Sequence, residues 1–245
     1  MQIVKIRDSV AFVTGANRGI GLAFTQALLA AGARKVYAAA RNPELITLDG
    51  VSGVRLDVTK PDTITAAANE CTDVNLLINN AAIALWTGFL GRDGVEAARS
   101  EMETNYFGPL LLSRAFAPVL AKNGGGAIVN VPSILSWVAV PNAGTYSASK
   151  AAAWALTNWL RTGLREQGTQ VVGVHAGPVD TDMVSNLTVP KVKPADLVRQ
   201  VLSALEAGRD EVLADAMPRQ VKAGLSDEEG IYLNFDPENA AVAAR

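Results

Sequence analysis

Two rhythms alternate along this 245-residue chain. Short, mostly apolar runs at 10–13, 35–39, 54–58, 74–78, 127–131, 170–175 and 211–213 read as strands, most of them buried on both faces. Between them lie stretches with apolar residues at helical spacing: 22–31, a helix opening at Pro61, a long segment from about 94 to 122, 151–164, and 194–208. Pro61 suits a first helical turn, and Gly32 and Gly208 stop two of the helices. Pro109 predicts a bend in the long segment, freeing backbone carbonyls near Asn105. Alternation throughout predicts a parallel sheet with helices on both faces, in one domain over residues 1–245. From Asp227 the chain is polar, then alanine-rich, without a period, and a mobile tail is expected over 227–245.

Composition narrows the function. A hydrophobic content of 49% is enough for a large core. A net charge of −2 leaves no basic footprint for nucleic acid or an anionic membrane. The single cysteine, Cys71, falls on an apolar helix face with Ile64, Ala67 and Ala68. It excludes an intrachain disulfide, argues against a cysteine-based metal site, and reads as core packing. No metal is expected. Residues 1–8 do not read as a signal peptide, and no uncharged apolar run reaches the roughly 18 residues of a membrane span. The chain is expected to be cytoplasmic.

The first strand runs into Thr14-Gly15-Ala16-Asn17-Arg18-Gly19-Ile20-Gly21 and then a helix. Strand, glycine loop and helix in succession predict a dinucleotide-phosphate site. Gly15 permits the turn, Gly19 lets backbone approach a pyrophosphate, and Gly21 lets the helix pack on the strand. The helix N-terminus faces the anion with free N–H groups. About 20 residues on, where an acidic residue would hold a ribose hydroxyl, stands Arg41. An arginine pairs with a 2′-phosphate instead, and Arg18 is a second candidate cation, so NADP(H) is preferred, with NAD(H) as the alternative. Either arginine could instead be a surface charge. Asp57, at a strand end, could accept from an adenine amino group or cap the next helix. Asn79 and Asn80 could tie neighbouring loops together or serve as turn residues.

The chemistry centres on Thr145-Tyr146-Ser147-Ala148-Ser149-Lys150, opening the 151–164 helix. Residues four apart share a helix face. An ammonium about 4 Å away, at an effective dielectric near 20, favours a phenolate by up to about 4 kcal/mol. That would bring a tyrosine from near pH 10 towards neutrality and make it a proton donor for a carbonyl. Tyr-x-x-x-Lys alone arises by chance in roughly one such chain in five. Context therefore decides. Ser133, at the carboxyl end of the fifth strand, is placed to meet a substrate.

With these motifs in order, the chain resembles the short-chain dehydrogenase/reductase family over about residues 8–215. The resemblance implies a doubly wound Rossmann-type domain with a seven-stranded parallel sheet in the order 3-2-1-4-5-6-7. It implies that Tyr146 protonates the carbonyl oxygen while Ser133 hydrogen-bonds it. Lys150 would lower the tyrosine pKa and hold the nicotinamide ribose, and Asn105, in Thr-Asn-Tyr-Phe-Gly, would support a proton relay. Gly15, Asn17, Arg18, Gly19, Ile20, Gly21, Arg41, Asp57, Val58, Asn80 and Ala81 would hold the cofactor, with Pro178, Val179 and Thr181 at the nicotinamide amide. Three positions depart from the family pattern: Ala82 follows Asn79-Asn80-Ala81, Pro132 precedes Ser133, and His175-Ala176-Gly177 stands where Asn-Pro-Gly is usual. For His175, the chain's one histidine, a packing role is favoured over a catalytic one.

The short stretch 183–192 predicts an open pocket for bulky apolar ketones or aldehydes, with Trp86, Leu135, Trp137, Val138 and Met183 as lining. The leading expectation is an NADPH-dependent carbonyl reductase. An NAD(P)+-dependent alcohol or sugar dehydrogenase and a non-catalytic nucleotide-binding sensor are the alternatives. The family's habit of pairing through its long helices implies a homodimer or homotetramer.

Overall fold

The computed structural model describes residues 4–235. Seven parallel strands form one sheet: β1 (Val10–Thr14), β2 (Lys35–Ala40), β3 (Val51–Arg55), β4 (Leu76–Asn79), β5 (Ala127–Asn130), β6 (Gln170–His175) and β7 (Glu211–Leu213). Their order is β3-β2-β1-β4-β5-β6-β7, as expected. The helices are α1 (Gly19–Ala30), α2 (Pro61–Glu70), α3 (Gly94–Met102), α4 (Gly108–Lys122), α5 (Gly144–Gly163), α6 (Pro194–Glu206) and α7 (Ala216–Ala223).

Successive strand residues face opposite sides, which sorts the core in two. Ala11, Val13, Leu76 and Ile78 pack with Phe24 and Leu28 of α1 and Leu197, Val201 and Leu205 of α6. Val10, Phe12, Leu77 and Ile128 pack on the other side with Ile64 of α2, Phe116 and Leu120 of α4, and Leu156 and Leu160 of α5. The central strands are buried at every position because both faces are covered. Cys71 is wholly buried in the second layer, where burial pushes its thiol up to about 12. Strand order reverses between β1 and β4, leaving a crevice at their carboxyl ends.

The structure differs from the expected elements, or adds to them, at four places. The third strand is Val51–Arg55, paired from Val36↔Val51 to Ala40↔Arg55, rather than 54–58. It is the outer strand and half exposed, so its apolar run marks the inward-leading end and not the strand itself. The 94–122 segment is helical throughout, as expected, but a π-helical turn, Glu103–Phe107, interrupts the α-helical pattern between α3 and α4, and Pro109 lies just beyond it at the start of α4. Helix α7 was not anticipated. Of the expected tail over 227–245, Ile231 and Phe235 pack with Ile134, Val138 and Val221, and residues 236–245 lie outside the described part.

Candidate active site

The cleft at the carboxyl ends of the strands has a volume of about 1050 Å3. At one end is the loop between β1 and α1. Gly15 and Gly19 hold φ of +64° and +53°, a region costly for any side chain. A Cβ on Gly21 would stand 2.0 Å from the Gly15 carbonyl oxygen, and one on Gly19 would meet Thr181 at 3.1 Å. These absent side chains leave a backbone cradle, and no side chain caps the first turn of α1. The cradle therefore suits a pyrophosphate. Thr14 fixes its floor: its hydroxyl donates to Ile78 O (3.2 Å) and accepts from the N–H groups of Asn80 and Ala81 (3.0 Å each). Asn80 Nδ2 returns a bond to Thr14 O at 2.9 Å.

Asn17, Arg18, Ile20, Arg41, Asp57, Val58 and Ala81 line this end. Asp57 is half-buried; burial alone would raise its carboxyl, but bonds from the Thr59 hydroxyl and N–H outweigh it and hold the carboxyl below its ordinary range. Arg41 is exposed, with its carbonyl held by Arg55 Nη1 at 2.9 Å. Arg18 reaches across the cleft to Asp182 at 3.3 Å, both side chains being mostly exposed. Such a pair is worth little, so Arg18 can give it up to a phosphate.

Ser133, Tyr146, Lys150, Pro178 and Val179 line the same cleft further on, with Thr181, beside Gly19, between the two parts. Lys150 is buried, and its Nζ donates to Val131 O at 2.8 Å. Burial lowers its pKa to about 8. Tyr146 departs from expectation: its pKa moves up, not down, because its hydroxyl is desolvated and the Glu101 charge opposes a phenolate, while the Ser133 hydroxyl only partly offsets them. Lys150 Nζ lies 5.5 Å from the centre of the Tyr146 ring and is spent on a backbone carbonyl. The phenol is thus a neutral donor near pH 7.

Asn105 is buried with its side chain fully engaged. Oδ1 accepts from Ile83 N and Nδ2 donates to Ile83 O and Ser149 Oγ, all at 2.9 Å. Ser149 Oγ donates in turn to Tyr146 O at 2.7 Å. The amide therefore ties the loop after β4 to the tyrosine turn. Asn79 does the same inside the sheet: Nδ2 donates to Asn130 Oδ1 (2.8 Å), whose Nδ2 donates to Thr157 Oγ1 on α5 (3.0 Å).

Trp86 lies against Tyr146 with the rings tilted at 37° and their centres 5.7 Å apart, and its Nε1 donates to Met183 O across the cleft. Its φ of +51° is strained for an aromatic residue. Glu101 was missed. It is wholly buried, with Oε1 accepting from Leu85 N at 2.7 Å, beside Trp86. Its spacing gave a signal, since 97, 101 and 105 fall on one helix face. Leu135 and Met183 line the cleft as expected, but Trp137 and Val138 are turned into the packing below it. Val140, Leu187, Val189, Met217 and Phe235 line it as well.

Among the described residues no cluster suits a metal ion, and no helix is long and apolar enough to cross a membrane. A short-chain dehydrogenase from Burkholderia cenocepacia J2315, solved in complex with NADP, is 44% identical over 92% of this chain and 95% of its own, with a TM-score of 0.88. A carbonyl reductase from chicken fatty liver, solved with NADPH bound, is 33% identical over 84% of this chain and 96% of its own, TM-score 0.77. Dehydrogenase/reductase SDR family member 7B of Bos taurus is 30% identical over 87% of this chain and 75% of its own length. The family model described as short chain dehydrogenase matches residues 9–191. With that match spanning the glycine cradle and the tyrosine turn alike, the chain belongs to the short-chain dehydrogenase/reductase family.

Proposed function

We propose that this protein is an NADPH-dependent reductase of apolar ketones or aldehydes. One observation carries the reading: a buried, protonated phenol and a serine hydroxyl share the far end of a cleft that begins at a backbone phosphate cradle. NADPH, when bound, supplies the hydride. Gly15, Gly19 and Gly21 would admit its pyrophosphate, and Arg18 and Arg41 would answer the 2′-phosphate. The two NADP(H)-bound relatives support that preference; NAD(H) is the weaker alternative.

In this reading Ser133 and Tyr146 both donate to the carbonyl oxygen, and Tyr146 passes its proton to the alkoxide. Lys150 stands behind with a positive charge that eases departure of that proton. Asn105 works through position, holding Ile83 and Ser149 so that the tyrosine turn keeps its place. Pro178, Val179 and Thr181 would border the nicotinamide amide. Alcohol oxidation needs a phenolate at Tyr146, which burial and Glu101 both oppose, so the resting phenol is poised to give a proton rather than to take one. The apolar lining from Trp86, Leu135, Val140, Met183, Leu187 and Val189 supports a bulky apolar substrate. The same reading includes a cytoplasmic homo-oligomer joined through α4 and α5, where Phe107, just before α4, and Trp159 of α5 are exposed.

The test is consumption of NADPH in the presence of an aryl ketone, followed by nicotinamide absorbance. Tyr146→Phe should lose at least about a thousandfold in kcat while binding NADPH as the parent does. Equal turnover by the variant would sink the assignment.

A further inference from the structure

Every polar group of Ser133 is held. Its N–H donates to Ser136 Oγ at 3.2 Å, and its Oγ accepts from Leu135 N at 3.1 Å. Its carbonyl oxygen lies 3.0 Å from His175 Nδ1. A carbonyl can only accept, so Nδ1 carries the hydrogen; with nothing near Nε2 to receive a second one in this buried place, the imidazole is the neutral Nδ1–H tautomer. Nε2 is then bare, and it is buried without a partner.

The ring cannot easily turn away. Trp137 stacks on it with centres 4.0 Å apart and 17° between the planes. Trp137 meets Trp154 edge-on at 6.2 Å, on the helix that carries Tyr146 and Lys150. Below the ring, His175 ends β6, with its own carbonyl bound by Ala214 N at 2.9 Å. Ile134, the residue after the serine, is tied to Ala176 O at 3.1 Å.

A wholly buried imidazole with an orphaned nitrogen is a poor choice for filling space. An apolar side chain of the same shape avoids the desolvation cost. What the imidazole supplies is one directed donor. With Ser136 on its N–H side and His175 on its carbonyl side, both peptide planes of Ser133 are fixed. Those planes set the direction of the Cα–Cβ bond and hence where the hydroxyl points.

We infer that His175 is a positioning residue of the active site, its Nδ1–H holding the Ser133 carbonyl so that the Ser133 hydroxyl stays aimed at the Tyr146 phenol. It exchanges no proton with substrate. The inference rests on the reductase reading for its catalytic consequence, but the tautomer does not.

Because the chain has one histidine, 15N-imidazole labelling of the whole protein reads this ring alone. Expected is a protonated Nδ1 and a bare Nε2 from about pH 5.5 to about 8.5. A protonated Nε2 would overturn the inference whether or not the protein turns over a ketone. The second arm is a double-mutant cycle. His175→Leu keeps the bulk and should lower kcat roughly 10- to 100-fold, with NADPH affinity unchanged. His175→Asn, with an amide nitrogen near the place of Nδ1, should recover most of that loss. In a Ser133→Ala background His175→Leu should cost less than about twofold. An equal loss in both backgrounds makes the ring a packing group and ends the proposal. Should the parent protein reduce no carbonyl while showing Nδ1–H, the reductase reading fails and takes the catalytic role with it.

Discussion

Lys150 is the residue on which the pH behaviour of the site turns. Burial takes its pKa from 10.5 to about 8, so the amine is charged below that value and discharged above it. The positive charge is what eases loss of the Tyr146 proton, hence kcat/KM for reduction should be level below about pH 8 and fall above it. Lys150→Arg cannot discharge in this range; its profile should lose the fall, at a lower plateau because the guanidinium fits the Val131 carbonyl differently. A fall that persists in the arginine variant assigns the limb to another group. Arg41 offers a separate test at the far end of the cleft. Removing a charged donor to phosphate costs about 1.5–3 kcal/mol. Arg41→Ala should therefore raise KM for NADPH at least about tenfold and leave KM for NADH alone. Parallel loss with both cofactors would make Arg41 a structural surface charge.

At the scale of elements, the loop after β4 shows how costly local choices accumulate around one function. Leu85 is held by a buried carboxylate, Thr87 O by the Thr145 hydroxyl at 3.2 Å, and Trp86 between them is left-handed. Such strain persists only where surrounding structure over-determines it, and here it lays an indole against Tyr146. Glu101→Gln keeps the acceptor for Leu85 N but deletes the charge that opposes a phenolate. Thermal stability should change little, and the alkaline rise of alcohol oxidation should move to lower pH. An unmoved profile would mean that the carboxylate acts only as an anchor. Trp86 was legible as cleft lining, but the carboxylate that anchors the segment was not, and the reason is physical. Periodicity finds apolar positions, whereas Glu101 is a charge in an apolar position. The β1–loop–α1 unit was legible because an all-apolar strand, required glycines and a helix follow within one stretch. Helix α7 is only eight residues long, with Pro218 in its first turn and only two buried residues, too short a stretch for its apolar positions to stand out. Trp137 reads as pocket lining only until the partner for its face, His175, is known.

The whole molecule pays for its site with buried polar groups placed where the two helical layers meet the strand ends, and His175 makes that cost measurable as acid stability. Its pKa falls from 6.5 to about 4, chiefly through burial; Arg161 and Lys222 push the same way, while the bond to Ser133 O and Glu211 push back. The unfolded chain takes up a proton near 6.5, but the folded protein refuses it until about 4. Stability from this group is therefore complete above about 6.5 and drains away as pH falls towards 4. The full difference corresponds to about 3 kcal/mol, at about 1.4 kcal/mol per tenfold change in proton affinity. Lys150 titrates far above this window, and the carboxylates are common to any variant pair. Subtracting His175→Asn from the parent isolates the term, because an amide has no proton to take up. Urea unfolding of both proteins at about pH 7 and about pH 4.5 should show the parent losing at least about 2 kcal/mol more than the variant. Equal losses would mean that the folded imidazole takes up its proton as readily as the unfolded one, against the burial that leaves its Nε2 without a partner.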